Sequence, residues 1–200
     1  MTEIELKAHV DDRTALIEVL DAKASYKGRV LRDDEYYGKS VHDTHKIRIR
    51  KEICDEKNGT GKETFLITYK RKEIRTDAEG TAVEVNDEKE CSVSSTDALK
   101  AFLTDTGYSV QLKKHKDVMD WELCIPAHEL LPEPLTATFE LCAVPPLGDF
   151  LEIEILSPRN DEESVAKVHK RLEELLELTG IPKSKIEKRY YSEMLRATEQ

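Results

Sequence analysis

Two pairs of glutamates, Glu3 with Glu5 and Glu152 with Glu154, each stand two residues apart in the chain. On a β-strand that spacing turns both members of a pair to one face. Carboxylates presented together hold hard divalent cations through oxygen. Basic residues recur with the same period. Lys46, Arg48 and Arg50 alternate with Ile47 and Ile49, and Lys7 follows Glu3 and Glu5 in phase. Lys70, Lys114, Lys116 and Arg189 complete the basic candidates. Lysine and arginine neutralise phosphate, and arginine does so with two parallel hydrogen bonds. Carboxylates repel phosphate unless a cation bridges the two. Basic rows and carboxylate pairs in one cavity therefore imply a phosphate chain bound together with Mg²⁺ or Mn²⁺.

Strands must position such rows, and period-two alternation of apolar and charged residues predicts them. It appears around Glu3, Glu5 and Lys7, at 46–50, at 65–70, at 84–90 and at 151–155. Helices fall between. Asp11 or Asp12 caps a first, with Ala15, Leu16, Val19 and Leu20 inward. Ser95 caps a second, with Leu99, Phe102 and Leu103 inward and Gly107 as its stop. A third starts at Asn160 or Asp161, carries Val165, Val168, Leu172, Leu175 and Leu176 at helical spacing, and ends at Gly180 and Pro182. A short last helix is expected from Ser184, where Glu187 completes a capping box. Loops are expected at 58–61, 77–80 and 126–134.

Strands in consecutive runs rather than strict alternation with helices predict an antiparallel α+β arrangement. The charged faces then either meet water or line the inside of a curved sheet. Three apolar-striped helices need an apolar surface to cover, which favours the lined interior. A barrel of about eight strands is wide enough for side chains and one small ligand. The expected fold is an eight-stranded antiparallel β-barrel, or tunnel, with helices outside, forming one domain over residues 1–200.

Composition narrows the function. The net charge is −10 with 36% charged residues, unlike a general nucleic-acid binder. No apolar run is long enough to span a membrane, and the acidic start Met1-Thr2-Glu3 is no secretory signal. The four cysteines, Cys54, Cys91, Cys124 and Cys142, have no CxxC pairing and read as reduced thiols of a cytoplasmic protein. A monomer or homodimer without nucleic-acid or membrane partners is expected.

Glu3-Ile4-Glu5-Leu6-Lys7 resembles the ExExK signature of the CYTH superfamily, the triphosphate tunnel metalloenzymes. That family contains class IV adenylate cyclases, thiamine triphosphatases and inorganic triphosphatases. Further segments follow in the family's order. Ile47-Arg48-Ile49-Arg50 resembles its arginine pair, Thr68-Tyr69-Lys70 its lysine, and residues 84–90 its acidic fifth strand. Lys114-His115-Lys116 is similar to its K-x-R element, with lysine in the arginine's place. Leu147-Gly148-Asp149-Phe150-Leu151-Glu152-Ile153-Glu154 is similar to its LGxFxEIE segment, and Arg189-Tyr190-Tyr191-Ser192 to its closing element.

The resemblance implies that Glu3, Glu5, Glu152 and Glu154 hold the metal. Lys7, Arg48, Arg50, Lys70, Lys114, Lys116 and Arg189 would contact phosphate. Glu88 and Glu90 would orient basic side chains or help hold a second cation. Glu5, Lys7, Glu152 and Glu154 form the expected catalytic group. One position departs from the family. Cys142 stands where many members carry an aspartate; either Glu140, two residues earlier on the same strand face, supplies the carboxylate instead, or the site has lost a metal ligand. The implied substrate is ATP, inorganic triphosphate or thiamine triphosphate. The start and end motifs look closest to class IV cyclases, which convert ATP to cyclic AMP and pyrophosphate. A triphosphatase is the alternative, and a non-catalytic polyphosphate or nucleotide sensor is a further one.

Overall fold

The computed structural model describes residues 2–40, 45–55, 61–76, 82–127, 133–159 and 161–198, with backbone only at 2, 45, 70–76 and 82–88. The expected loop at 77–80, and most of those at 58–61 and 126–134, lie outside the described residues. The strands are β1 (Thr2–Val10), β2 (Ser25–Gly38), β3 (His45–Cys54), β4 (Lys62–Thr76), β5 (Ala82–Val93), β6 (Ser109–Ile125), β7 (Leu135–Val144) and β8 (Gly148–Ser157). The α-helices are α1 (Arg13–Lys23), α2 (Asp97–Asp105), α3 (Glu162–Leu178) and α4 (Tyr191–Thr198). The strands form one antiparallel sheet in the order β1-β8-β7-β6-β2-β3-β4-β5. Among the described residues no ladder joins β1 to β5, so hydrogen bonds do not close the sheet. The expected α+β class and eight antiparallel strands are present. No helix among the described residues is long and apolar enough to cross a membrane.

The chain divides into two compact units, Met1–Arg29 with Lys116–Gln200, and Val30–His115. In the first, the strand period separates two chemistries. Ile4, Leu6 and Ala8 of β1, Ile153 and Ile155 of β8, and Phe139 and Leu141 of β7 form one apolar face. Leu16 and Leu20 of α1, and Val168, Leu172, Leu175 and Leu176 of α3, cover it. Each fully buried leucine there contributes about 1.5–3 kcal/mol. Asp12 caps α1 by accepting from the Ala15 N–H (3.0 Å), and Asp161 caps α3 by accepting from Ser164 (2.9 Å). Glu162 and Glu163 in the first turn of α3 complement its dipole, and Gly180 stops it in the left-handed region (φ +83°). Ala15 of α1 is exposed rather than inward, and Ile17 packs on the core in its stead.

In the second unit, Tyr37 of β2, Ile49 of β3 and Leu103 of α2 form a smaller core, joined by Leu99. Phe102, expected inward, is 61% exposed. A helix of nine residues presents one narrow stripe, and Leu99 with Leu103 fill it. Thr96 rather than Ser95 is the N-cap; the Ser95 hydroxyl instead accepts from the Asp97 N–H (3.2 Å).

The helix expected from Ser184 is replaced by a short 3₁₀ turn, Lys183–Lys185, and α4 starts only at Tyr191. The chain between is drawn onto β1. Ile186 bridges Ala8, and the Glu187 N–H donates to the Lys7 carbonyl (2.8 Å). Backbone committed to a strand in this way cannot continue a helix.

Candidate functional site

The opposite face of the first unit is charged, and strand register assembles it. Glu5 of β1 lies directly across from Glu154 of β8, and Lys7 from Glu152. Glu140 of β7 lies across from Glu152 on its other side. Glu152 is therefore flanked by a lysine on one strand and a carboxylate on the other. The Lys116 ammonium, from β6, donates to Glu152 (2.6 Å) and stands 3.8 Å from Glu140. Ligand atoms of Glu140, Cys142 and Glu152 lie within 4.8 Å of one another, a grouping able to hold a metal ion.

The first residue of α4 completes this face. The Lys7 ammonium sits 4.3 Å, and that of Lys116 5.1 Å, from the centre of the buried Tyr191 ring. Phe150 braces the ring edge-on at 5.1 Å. Such cation–π contacts hold two like charges on one aromatic surface. Lys7 also donates to the Arg189 carbonyl (2.6 Å), while the Arg189 guanidinium turns to Glu187 (2.6 and 3.0 Å). Glu187 in turn pairs with His9 (3.2 Å).

Glu3, Glu5, Glu140, Glu152 and Glu154, with Asp120 of β6 across from Glu140, share this face with the ammoniums of Lys7 and Lys116. Glu5 responds to its surroundings. Burial and then the Glu152 charge push its carboxyl up to about 7, although part of its side chain meets solvent. Burial holds Lys7 below the ordinary lysine value, against the pull of Glu152 and Glu5. At Lys116 burial also opposes charge, but Cys142, Glu152 and Glu140 outweigh it and raise the ammonium above the usual range. Burial, with Glu152 beside it, holds the Tyr191 hydroxyl far above an ordinary phenol.

The second unit carries its own charged face. Arg50 and Arg48 of β3 project beside Asp34 and Tyr36 of β2, their register partners. Asp34, with no side-chain exposure, accepts from Arg50 Nε (2.6 Å) and Nη2 (3.0 Å) and pairs with Lys114 (3.1 Å). Burial alone would raise its carboxyl, but the Arg50 hydrogen bonds, then Lys114, hold it well below the usual carboxylate range. Arg48 donates to Thr68 (2.9 Å) and to Glu90 (3.0 Å), and Thr68 donates to Glu90 (2.6 Å). The Thr68 hydrogen bond and the Arg48 charge keep Glu90 below its ordinary value.

Of the residues expected from sequence, Glu5, Lys7, Lys116, Glu140, Glu152 and Glu154 are brought onto one face, with Glu3 at the end of the β1 row. Arg48, Arg50, Lys114 and Glu90 are brought together in the other unit. Arg189 joins the first group through its carbonyl, while its exposed guanidinium is paired away with Glu187. Lys70 and Glu88 are register partners on β4 and β5, but their side chains lie outside the described residues. Sequence reading missed Asp34 and gave Tyr191 no role of its own within the closing segment. For Asp34 a signal existed, because it shares parity with Tyr36 and Arg32, but the run Asp33-Asp34-Glu35 hides the alternation.

No family profile matches the chain, and no curated protein matches it in sequence. Among solved structures, it is similar to the PH1819 protein of Pyrococcus horikoshii, with a TM-score of 0.69 at 23% identity over 98% of this chain and 99% of that one. It is similar to a candidate adenylate cyclase of Vibrio parahaemolyticus, with a TM-score of 0.61 at 17% identity over 97% of each chain. It is also similar to a candidate adenylyl cyclase of Hippeastrum with a dominant triphosphatase activity, with a TM-score of 0.61 at 15% identity over 98% and 96%. This likeness shows that the chain shares the fold of these proteins over nearly its whole length.

Proposed function

We propose that this chain is a divalent-metal-dependent enzyme that cleaves a triphosphate at phosphorus. One observation carries the reading: strand register gathers Glu5, Glu140, Glu152 and Glu154 on one face around the ammoniums of Lys7 and Lys116. Carboxylate oxygens at Glu5, Glu152 and Glu154, with Glu140, fit a hard cation such as Mg²⁺ or Mn²⁺. Cys142 adds a thiol that suits Mn²⁺ better than Mg²⁺. When bound, the cation would screen charge on the phosphate oxygens and help orient the nucleophile. Lys7 and Lys116, fixed over Tyr191, bind phosphate oxygens and offset charge as the bond breaks. Within the second unit, Arg48, Arg50 and Lys114 are read as phosphate ligands in their own right, with Lys70 a further candidate by sequence.

Two reactions share this machinery. The ribose 3′ oxygen of ATP attacks the α-phosphorus, the bond to the β-phosphate breaks, and cyclic AMP and pyrophosphate form. In the other, water attacks the terminal phosphorus, the bond from that phosphorus to its bridging oxygen breaks, and orthophosphate forms as the diphosphate portion leaves. The Glu-Ile-Glu-Leu-Lys and Arg-Tyr-Tyr-Ser segments favour the cyclase by similarity, which is an argument from analogy.

Incubation with ATP, inorganic triphosphate and thiamine triphosphate, each with Mg²⁺ or Mn²⁺, separates these outcomes by product. Cyclic AMP or orthophosphate that disappears in a Glu152→Gln/Glu154→Gln variant is the expected result. Triphosphate binding without product from any substrate would replace the enzyme by a sensor, and product formation undiminished in the double variant would refute the assignment.

A further inference from the structure

Asp34 is an anomaly in a basic cluster. If Arg50 and Lys114 bind phosphate, a fixed negative charge between them repels the ligand and weakens their combined field. Yet its side chain has no solvent exposure and engages both cations at once. Arg50 presents one whole edge of its guanidinium, Nε and Nη2, to the two Asp34 oxygens. The fork is thereby locked in one plane, with Nη1 on the other edge, 3.5 Å from Glu52. Lys114, only 10% exposed, shares the Oδ2 atom, and the Tyr36 hydroxyl reaches the same oxygen at 3.4 Å. Long basic side chains lose much rotational freedom when they bind, and a partner that orders them beforehand removes that loss. An electrostatically unfavourable group kept at full burial contributes through geometry.

Resting on the reading of Arg50 and Lys114 as phosphate ligands, we infer that Asp34 is the positioning residue that fixes both in a single arrangement and so determines how the triphosphate lies, while lowering the affinity of the cluster for anions in general. Removing its charge should therefore separate affinity from orientation, which a merely structural role would move together.

The test uses the full chain, inorganic triphosphate and a chelator, by titration calorimetry at low and high salt and by ³¹P NMR of the complex. In the wild type the two terminal phosphorus atoms, held by different partners, give distinct bound signals. Asp34→Asn should bind at least as tightly at low salt, with a steeper salt dependence, while the terminal signals merge. Distinct signals in Asp34→Asn, or merged signals already in the wild type, would overturn the inference. So would an affinity loss of about tenfold or more, the mark of a cluster that has simply fallen apart. If Asp34→Asn does not fold, Asp34→Glu keeps the charge but shifts it by one methylene. It should retain the wild-type salt dependence and still merge the signals, and distinct signals there would overturn the inference equally. A wild type that binds no triphosphate defeats the functional reading itself, and that result is read before any variant is made.

Discussion

Replacing Lys116 by methionine keeps the apolar stem of a side chain only 5% exposed and deletes its ammonium. Glu152, 7% exposed and 2.6 Å away, then loses its hydrogen-bonded partner, and Glu140 loses a neighbour at 3.8 Å. Breaking a buried pair from one side costs about 3–5 kcal/mol, because the remaining charge stays desolvated. The cation–π contact with Tyr191 adds about 1 kcal/mol. The loss should depend on pH, with a definite sign. The raised Lys116 ammonium stays charged throughout the neutral range, so in the wild type this group contributes no slope there. In the variant the Glu152 carboxyl, deprived of the Lys116 ammonium, is raised in the folded state. Its penalty is absent below the ordinary carboxylate range and grows as pH climbs through the raised value. Urea denaturation at about pH 5 and about pH 8 in chelator should show the larger loss at the higher pH. Adding Glu152→Gln to Lys116→Met should restore most of it. A loss below about 1 kcal/mol at both pH values would refute the claim that this pair is buried and mutually dependent.

Other perturbations probe different links. Glu5, raised from 4.5 to about 7, keeps its proton in the folded chain where the unfolded chain has lost it, so metal-free stability should fall as pH rises across that window. Glu5→Gln should flatten the decline in a pH series of denaturation midpoints, and an unchanged slope would count against the shift. Asp34, held below its ordinary 3.8, contributes stability that is present above that value and lost as pH falls beneath it. The stability gap between wild type and Asp34→Asn should accordingly narrow in acid. Leu172→Ala, at a site with 0% exposure beneath α3, should cost about 2–5 kcal/mol by denaturation without changing the slope. Cys142→Asp places a third carboxylate beside Glu140 and Glu152 in a site with 0% exposure. It should lower the melting temperature in chelator and recover it on titration with Mg²⁺ or Mn²⁺; a metal-insensitive melting temperature would argue against cation binding there.

The charged faces were legible where a strand keeps strict alternation. β1, β3 and β8 each place charge on one side and isoleucine or leucine on the other, and register then brings Glu5 to Glu154 and Lys7 to Glu152. β2 and β6 break the pattern because charge falls on both faces. In β2, Asp33 turns to His115, Asp34 to Arg50 and Glu35 to Lys100, three destinations for one acidic run. Local sequence cannot assign them, since each partner lies on a different element. Tyr191 was illegible for a related reason. Its ring acquires meaning only when the backbone after Lys185 is drawn onto β1, which brings residue 191 to Lys7 and Lys116. The same long-range pairing replaced the helix that the Ser184 capping pattern called for.

The first unit is discontinuous, with the continuous stretch Val30–His115 lying between its two parts. This sets a timetable for synthesis. β1 leaves the ribosome early, yet its hydrogen-bond partner β8 follows only after the second unit has emerged whole. Until then Ile4, Leu6 and Ala8 have no α3 above them and the edge of β1 has no ladder beside it. A nascent strand in that condition is open to pairing with other chains. The alternating charges Glu3, Glu5 and Lys7 would then act as gatekeepers during biogenesis, before they have any ligand to hold. Substitutions that neutralise them should therefore lower the yield of folded protein from the ribosome by more than they lower the stability of the finished fold.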